Sequence, residues 1–216
     1  MINKILRFVG VVISSTSILA LLVEFYGIID MSSFTKLVFV PSMIILALLT
    51  YFSWKKGYED FWKRCVIGTI AGLLATVAYD LIRIPFLLYG INLFKAIFQF
   101  GPLILGELIE RGAVPLLISD IIGWIYHFSN GITFGLILVF SLFRPRWWQA
   151  LIWGVVLELA MLFTPYPQFF GIKLAFPFIL GSFIGHIAYG LTLGIIIEKM
   201  WKRFLPKNLK VASKRR

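Results

Sequence analysis

Residues 127–135 read His127-Phe-Ser-Asn-Gly-Ile-Thr-Phe-Gly135, and the same pattern recurs at residues 186–194 as His186-Ile-Ala-Tyr-Gly-Leu-Thr-Leu-Gly194. Each copy lies inside a long apolar run, and these two histidines are the only ones among the 216 residues. Polar residues at the same place in two membrane helices predict a duplicated unit with a site between its copies. Because an ionisable residue in hydrocarbon is costly, we expect the histidines to be functional.

Composition places the chain in the membrane class. Hydrophobic residues make up 60% of the sequence and charged residues only 14%, too few charges to cover the surface of a soluble domain. Six apolar runs are long enough to cross a bilayer core as helices. The first is too long for the apolar core of a signal peptide, so we interpret it as an uncleaved span. The sequence predicts an all-α, polytopic membrane protein with a single domain over residues 1–206 and six transmembrane helices at about 8–29, 34–54, 65–89, 120–143, 147–164 and 177–200.

The net charge of +11 is of the kind found in nucleic-acid-binding proteins. However, most of the 21 basic residues fall in the termini and loops that six spans would place in the cytoplasm. The positive-inside rule predicts this asymmetry for an inner-membrane protein with both termini in the cytoplasm, so we expect no nucleic-acid partner. We expect the basic tail at residues 207–216 to be cytoplasmic and to lie on anionic lipid. The sequence leaves the oligomeric state open.

The two histidine copies lie on the fourth and sixth predicted spans, so the duplicated unit comprises two helices. Spans three and four form one unit and spans five and six the other, and both run in the same direction, as in parallel repeats. The outer connection near residues 91–117 is too long for a tight turn and too apolar for a solvated loop. It is predicted to lie along the outer interface or to re-enter the membrane. Within it, Glu107 and Arg111 are spaced i, i+4 and can pair.

Small and polar residues recur at every third or fourth position along the four core spans, which places them on one stripe of each helix. Small residues let helix backbones approach closely in a membrane, so the ionisable residues on the same stripes must face the bundle interior. At about 1.5 Å of rise per residue, these groups fall in one layer of the outer half of the membrane. We predict a cavity at this level, with five candidate ligand-binding residues: Asp80, Arg83, His127, Glu158 and His186.

Several interpretations of this layer remain open. In a purely structural one, Asp80 pairs with Arg83 at i, i+3, and each histidine bonds a carboxylate or carbonyl across the bundle. In a second, the layer binds a small polar or anionic solute, an ion or protons, with Arg83 holding an anionic group. The inner half of the spans is nearly free of charge, which favours a one-sided site over a transporter and leaves a link to transport open.

In a third interpretation the site holds a metal or a haem. His127, His186, Asp80 and Glu158 would make a nitrogen and oxygen set suited to zinc, iron or manganese. Alternatively, the two histidines would be the axial ligands of one haem b. A membrane enzyme acting on a lipid or isoprenoid is a further alternative, with the carboxylates and a histidine as general acid and base. No nucleophile elbow, Asp-rich diphosphate motif or phosphate loop accompanies them, so the sequence does not establish an enzyme.

Residues 118–200 also carry the motifs of a known group. An aromatic-flanked histidine begins a glycine-rich span, Trp148-Gln-Ala-Leu-Ile-Trp-Gly154 begins the next, Thr164-Pro-Tyr-Pro167 ends it, and Gly185-His186 lies in the last. This segment resembles the uncharacterised bacterial inner-membrane proteins of the YagU type. The stretch Ala78-Tyr-Asp-Leu-Ile-Arg-Ile-Pro85 is also similar to a wider set of hypothetical prokaryotic membrane proteins. The resemblance implies an inner-membrane location and no established activity, so it does not choose among the alternatives.

Overall fold

The computed structural model of the protein describes residues 2–106, 108, 112 and 114–204. Over these residues the chain consists of helices and their connections, with no strand. In chain order the helices are α1 (Ile2–Phe25), α2 (Met31–Lys55), α3 (Glu59–Leu88), α4 (Ile97–Leu105), α5 (Leu116–Ser141), α6 (Trp147–Phe163), α7 (Tyr166–Phe169) and α8 (Phe176–Phe204). Helix α2 contains one π-helical turn, Thr35–Phe39.

Five of these helices, α1, α2, α3, α5 and α8, are long and apolar enough to cross a membrane. The described chain therefore has the all-helical architecture of a multi-pass membrane protein. Helix α6 is shorter, with 17 residues. Helix α3 begins at Glu59, before the apolar run predicted from residue 65, because Glu59 and Asp60 pair with Lys63 and Arg64 one turn further on. The pair expected between Glu107 and Arg111 and the basic tail at residues 207–216 lie outside the described residues.

The helices pack in a row. Helices α1 and α4 pack against α5, α5 against α3, α3 against α8, and α8 against α6, while α2 lies beside α1 and α3. Two glycine contacts bring neighbouring backbones together. A Cβ atom on Gly72 of α3 would lie 2.6 Å from the carbonyl oxygen of Gly131 in α5, and one on Gly154 of α6 would overlap the carbonyl oxygen of His186 in α8. Only glycine permits this approach, which sets the stagger of each pair of helices.

Two groups of side chains mark the ends of the bundle. At the arginine end, defined by Arg7 and Arg64, both guanidinium groups donate to carbonyl groups at the end of α5: Arg7 Nε to Phe140 at 3.0 Å, and Arg64 Nη1 to Leu142 at 2.8 Å. These bonds satisfy acceptors that a helix end leaves without intrahelical partners.

The aromatic end is defined by Phe25, Phe100 and Phe170. The ring of Phe170 has its centroid 5.7 Å from that of Phe25 and 5.5 Å from that of Phe100. Helix α4 packs on α5 at this end. The candidate residues Asp80 and Arg83 lie in the last third of α3, which runs toward the aromatic end. The functional candidates therefore lie in the half of the bundle that the aromatic rings close.

Candidate functional site

His127 of α5 pairs with Asp80 of α3. Its Nε2 atom lies 3.1 Å from each carboxylate oxygen of Asp80. Arg83, one turn further along α3, places Nη1 3.4 Å from Oδ1 of the same carboxylate. Asp80 and Arg83 are both buried, and each compensates the charge of the other in an apolar environment. Three of the five residues that the sequence singled out therefore form one connected group.

The other two candidates form a second group between α6 and α8. The Nδ1 atom of His186 lies 2.6 Å from Oε2 of Glu158. Ser182, one turn before His186, donates its hydroxyl to the same Oε2 atom at 2.8 Å. Glu158 is fully buried, and its second oxygen, Oε1, has no hydrogen-bond partner among the described residues. Each histidine thus has its own carboxylate, held by a neighbouring helix.

Tyr79 lies between the two groups. Its ring centroid is 4.9 Å from that of His186 and 6.0 Å from that of His127. The guanidinium carbon of Arg83 lies 4.3 Å from the centre of the Tyr79 ring, a cation–π contact, and 4.5 Å from that of Phe94. Tyr79 is not among the site residues predicted from the sequence. Its position four residues before Arg83 places both on one face of α3, but this spacing does not indicate that the face meets two imidazoles.

A cavity of about 260 Å³ lies between α1, α3, α5, α6 and α8. Its lining is mostly apolar, and its polar members include both imidazoles and Tyr79. Asp80, Arg83 and Glu158 are not among the residues that line it. The sequence predicted all five as ligand-binding residues, but only the two histidines reach the cavity wall. The carboxylates lie behind the imidazoles and orient them, because helix rotation aims each carboxylate at a neighbouring helix.

The cavity wall offers unpaired polar atoms. Among the described residues, Nδ1 of His127 and Nε2 of His186 form no hydrogen bond, since each ring is bonded only through its other nitrogen. Asn130 also lines the cavity, although its Oδ1 atom is itself buried. Burial raises the pKa of the Tyr166 phenol, which also lines the cavity and therefore keeps its proton and can donate. Such convergent polar groups in an apolar pocket are typical of a ligand site.

The geometry disfavours the metal and haem alternatives. Among the described residues, no three or more His, Cys, Asp or Glu side chains gather closely enough to hold a metal ion, and the four candidate ligands form two separate pairs. For a haem with two axial histidines, Nε2 of His127 already faces Asp80, and the ring of Tyr79 occupies the space between the imidazoles. The arrangement therefore lacks the open plane between two facing ring nitrogens that such a haem needs.

Comparisons with known proteins add no functional assignment. No protein-family model, no curated protein and no solved structure matches this chain. The proposed function therefore rests on the residues that line the cavity.

Proposed function

We propose that this protein binds a small polar molecule in a cavity within the membrane, through the free ring nitrogens of His127 and His186. The supporting observation is that both imidazoles line one cavity while Asp80 and Glu158 hold them from behind. An acceptor at one ring nitrogen, Asp80 for His127 and the Ser182 carbonyl group with Glu158 for His186, fixes the orientation of the ring and leaves the other nitrogen for a ligand. The same arrangement suits the exchange of a proton with that ligand, since imidazole both donates and accepts protons.

The free nitrogens favour binding over a purely structural network. Polar groups kept only for structure in a membrane interior are expected to be fully hydrogen-bonded, because an unpaired one is costly. In the described chain, one nitrogen of each imidazole lacks a partner, and both rings line the cavity. A ligand with hydrogen-bonding groups would satisfy them together.

The proposed topology has six spans in the cytoplasmic (inner) membrane, with the arginine end and both termini in the cytoplasm. Helix α6, with 17 residues, is about 26 Å long at about 1.5 Å per residue, near the thickness of a bilayer core. Arg7, Arg64 and Arg144 at the arginine end agree with the positive-inside rule. The resemblance to YagU-type proteins supports the inner membrane, and the tail at residues 207–216 would then face anionic lipid.

Similar glycine crossings support the proposed duplication. Gly72 meets Gly131, four residues after His127, and Gly154 meets Gly190, four residues after His186. The carboxylates do not follow the same rule, since Asp80 lies two turns after Gly72 whereas Glu158 lies one turn after Gly154. In this proposal, the two units have the same type of helix crossing. They differ in the position along the helix of the carboxylate that holds the histidine.

The test uses the protein in lipid nanodiscs with ¹⁵N only in histidine, so that the spectrum contains two imidazoles. Phenol is the uncharged probe, because a cavity of about 150 Å³ already admits benzene, and inorganic phosphate is the anionic one. We expect phenol or phosphate to shift both imidazole resonances saturably. In the variant His127→Gln, the same probe should shift the His186 resonance less. The control Leu159→Ala, on the exposed face of α6, should respond like the wild type. If neither probe produces a saturable shift in folded protein, the proposed function fails.

A further inference from the structure

The walls of the cavity differ in chemistry from one side to the other. Its polar members on α3, α5 and α8 include Tyr79, His127 and His186. The lining residues on α1 are Ile18, Leu21, Leu22 and Phe25, and those on α6 include Leu157, Ala160 and Met161. A ligand that fills this cavity therefore meets hydrogen-bonding groups at one side and hydrocarbon at the other.

The apolar side of the cavity is open. Helices α1 and α6 are the two ends of the packed row, and they form no packed interface with each other over the part of the chain that the structure describes. Ala160, on α6, lines the cavity and is exposed. Since both helices line the cavity, it adjoins the gap between α1 and α6.

The aromatic end, in contrast, is closed. Phe25 at the end of α1 contacts Tyr166 and Phe169, with ring centroids 5.9 and 4.9 Å apart, so that α7 bridges α1 and α6 at this end. Phe170 packs behind them and is only 1% exposed. An open side toward hydrocarbon and a closed end suit a ligand that is itself dissolved in the membrane.

The charges near the cavity disfavour an anionic head group. Behind its wall lie two carboxylates, Asp80 and Glu158, against one guanidinium, Arg83, which is already paired with Asp80. With both imidazoles neutral, a bound anion would lie near an excess of negative charge, whereas an uncharged hydroxyl or carbonyl group would bond the free imidazole nitrogens without this repulsion.

On the basis of the proposed function, we infer that the ligand is a single-chain lipid with an uncharged hydroxyl or carbonyl head group. The head group lies in the cavity against the free ring nitrogens of His127 and His186, beside the ring of Tyr79, and the chain leaves through the gap between α1 and α6. The cavity of about 260 Å³ is slightly smaller than the usual range for ligand pockets, about 300–1,000 Å³. It therefore holds the head group and the first part of the chain, which lies against Leu22, Leu157 and Ala160, while the rest of the chain extends into the bilayer.

The experiment compares four probes by the two ¹⁵N-histidine resonances of the full chain in nanodiscs. 1-Decanol has an uncharged head group and a chain, decanoate has the same chain with an anionic head group, decane has only the chain, and phenol has only a small polar group. We expect decanol to shift both resonances saturably at a lower membrane mole fraction than decanoate, and decane to shift neither. Equal responses to decanoate and decanol would overturn the assignment of an uncharged head group.

Two variants test the position of the chain. Ala160→Trp fills the gap and is expected to weaken the decanol response about tenfold relative to the phenol response, as if about two methylenes had lost their contacts. Leu159→Trp, on the neighbouring exposed position of α6, is the matched control and should bind decanol normally. Unchanged decanol binding in Ala160→Trp would overturn the proposed path of the chain.

The outcomes separate this inference from the proposed function. If phenol shifts both resonances but decanol does not, the cavity binds polar molecules and the lipid assignment is wrong. If phenol, phosphate and decanol all leave both resonances unchanged in folded protein, the proposed function fails as well.

Discussion

Nε2 of His127 lies 3.1 Å from both carboxylate oxygens of Asp80, so a neutral His127 carries its proton on Nε2. His186 uses the opposite nitrogen. Its Nδ1 lies 2.6 Å from Glu158 and 3.0 Å from the carbonyl oxygen of Ser182, and a carbonyl group only accepts. Although the two histidines occupy equivalent positions in the repeated sequence, they differ in which ring nitrogen remains free.

The first prediction is that the neutral forms of His127 and His186 are opposite tautomers. The ¹⁵N chemical shifts of the ring nitrogens distinguish a protonated from an unprotonated nitrogen, and the chain contains only two histidines. We expect one ring with a proton on Nε2 and one with a proton on Nδ1, assigned through His127→Gln and His186→Gln. The same tautomer in both rings would contradict the hydrogen bonds described above.

The second prediction concerns the buried ion pair of Asp80 and Arg83. We expect Asp80→Ala to lower the free energy of unfolding by about 3–5 kcal/mol, because it leaves a buried guanidinium unpaired. Arg83 has little to compensate for the loss, since its Nε already lacks a partner within the described chain. The double variant Asp80→Ala, Arg83→Met should recover part of the loss. Unfolding in detergent measures the free energy of unfolding of the single and the double variant. Leu81→Ala, on the exposed face of α3, is the control.

A double variant no more stable than Asp80→Ala would show that the unpaired charge is not the cause of the loss. In that case the effect would belong to the bond between Asp80 and His127. The variant His127→Gln, which keeps the ion pair, separates the two contributions.

Much of the helical architecture follows from the sequence, because apolar runs of sufficient length have few alternatives in a bilayer. The contact between Asp80 and Arg83 follows from their i, i+3 spacing on one helix. The partner of each histidine does not follow from spacing alone. It depends on the stagger and rotation of two helices, which the backbone contact between Gly72 and Gly131 sets in one pair.

In the sequence, Arg64 is only one of the basic residues in the segments predicted to be cytoplasmic, because a pattern within one helix does not show which distant carbonyl groups a side chain reaches. In the structure Arg64 is 1% exposed and binds the end of α5. Tyr79 was missed for a similar reason. An aromatic residue in a membrane span is ordinary, and its position between two imidazoles arises only when three helices meet.

The third prediction follows from the contacts of Arg64. Its guanidinium group donates to the carbonyl groups of Val139, Leu142 and Phe143 at the end of α5. We expect Arg64→Ala to lower the free energy of unfolding by about 2–3 kcal/mol, because hydrogen bonds from a charged group are worth about 1.5–3 kcal/mol and the carbonyl groups lose their donor. Arg64→Lys should restore less than half of this loss, since an ammonium group lacks the planar fork.

Lys63→Ala is the matched control for Arg64→Ala. Lys63 pairs with Glu59, which lies one turn earlier on the same helix and is exposed. Its loss is expected to change stability by less than about 1 kcal/mol. Equal losses of stability in Lys63→Ala and Arg64→Ala would show that the charge at this end of the bundle determines stability. The hydrogen bonds from Arg64 to the end of α5 would then not be the cause.

The last prediction separates the two glycine crossings. An added methyl group at Gly154 overlaps the carbonyl oxygen of His186, so Gly154→Ala should displace α8 locally and shift the His186 resonance while His127 stays in place. Gly72→Ala, whose methyl group would meet Gly131, should shift mainly His127. Each variant should also lose about 1–3 kcal/mol of stability, the usual cost of overpacking.

The control for Gly154→Ala is Val156→Ala, on the exposed face of α6, which should shift neither resonance. Selective shifts would mean that each crossing positions its own imidazole, as expected if the site consists of two units that meet at Tyr79. If both glycine variants moved both resonances equally, the two imidazoles would be held as one rigid group. A change at one crossing would then be transmitted through Tyr79, whose ring contacts both histidines.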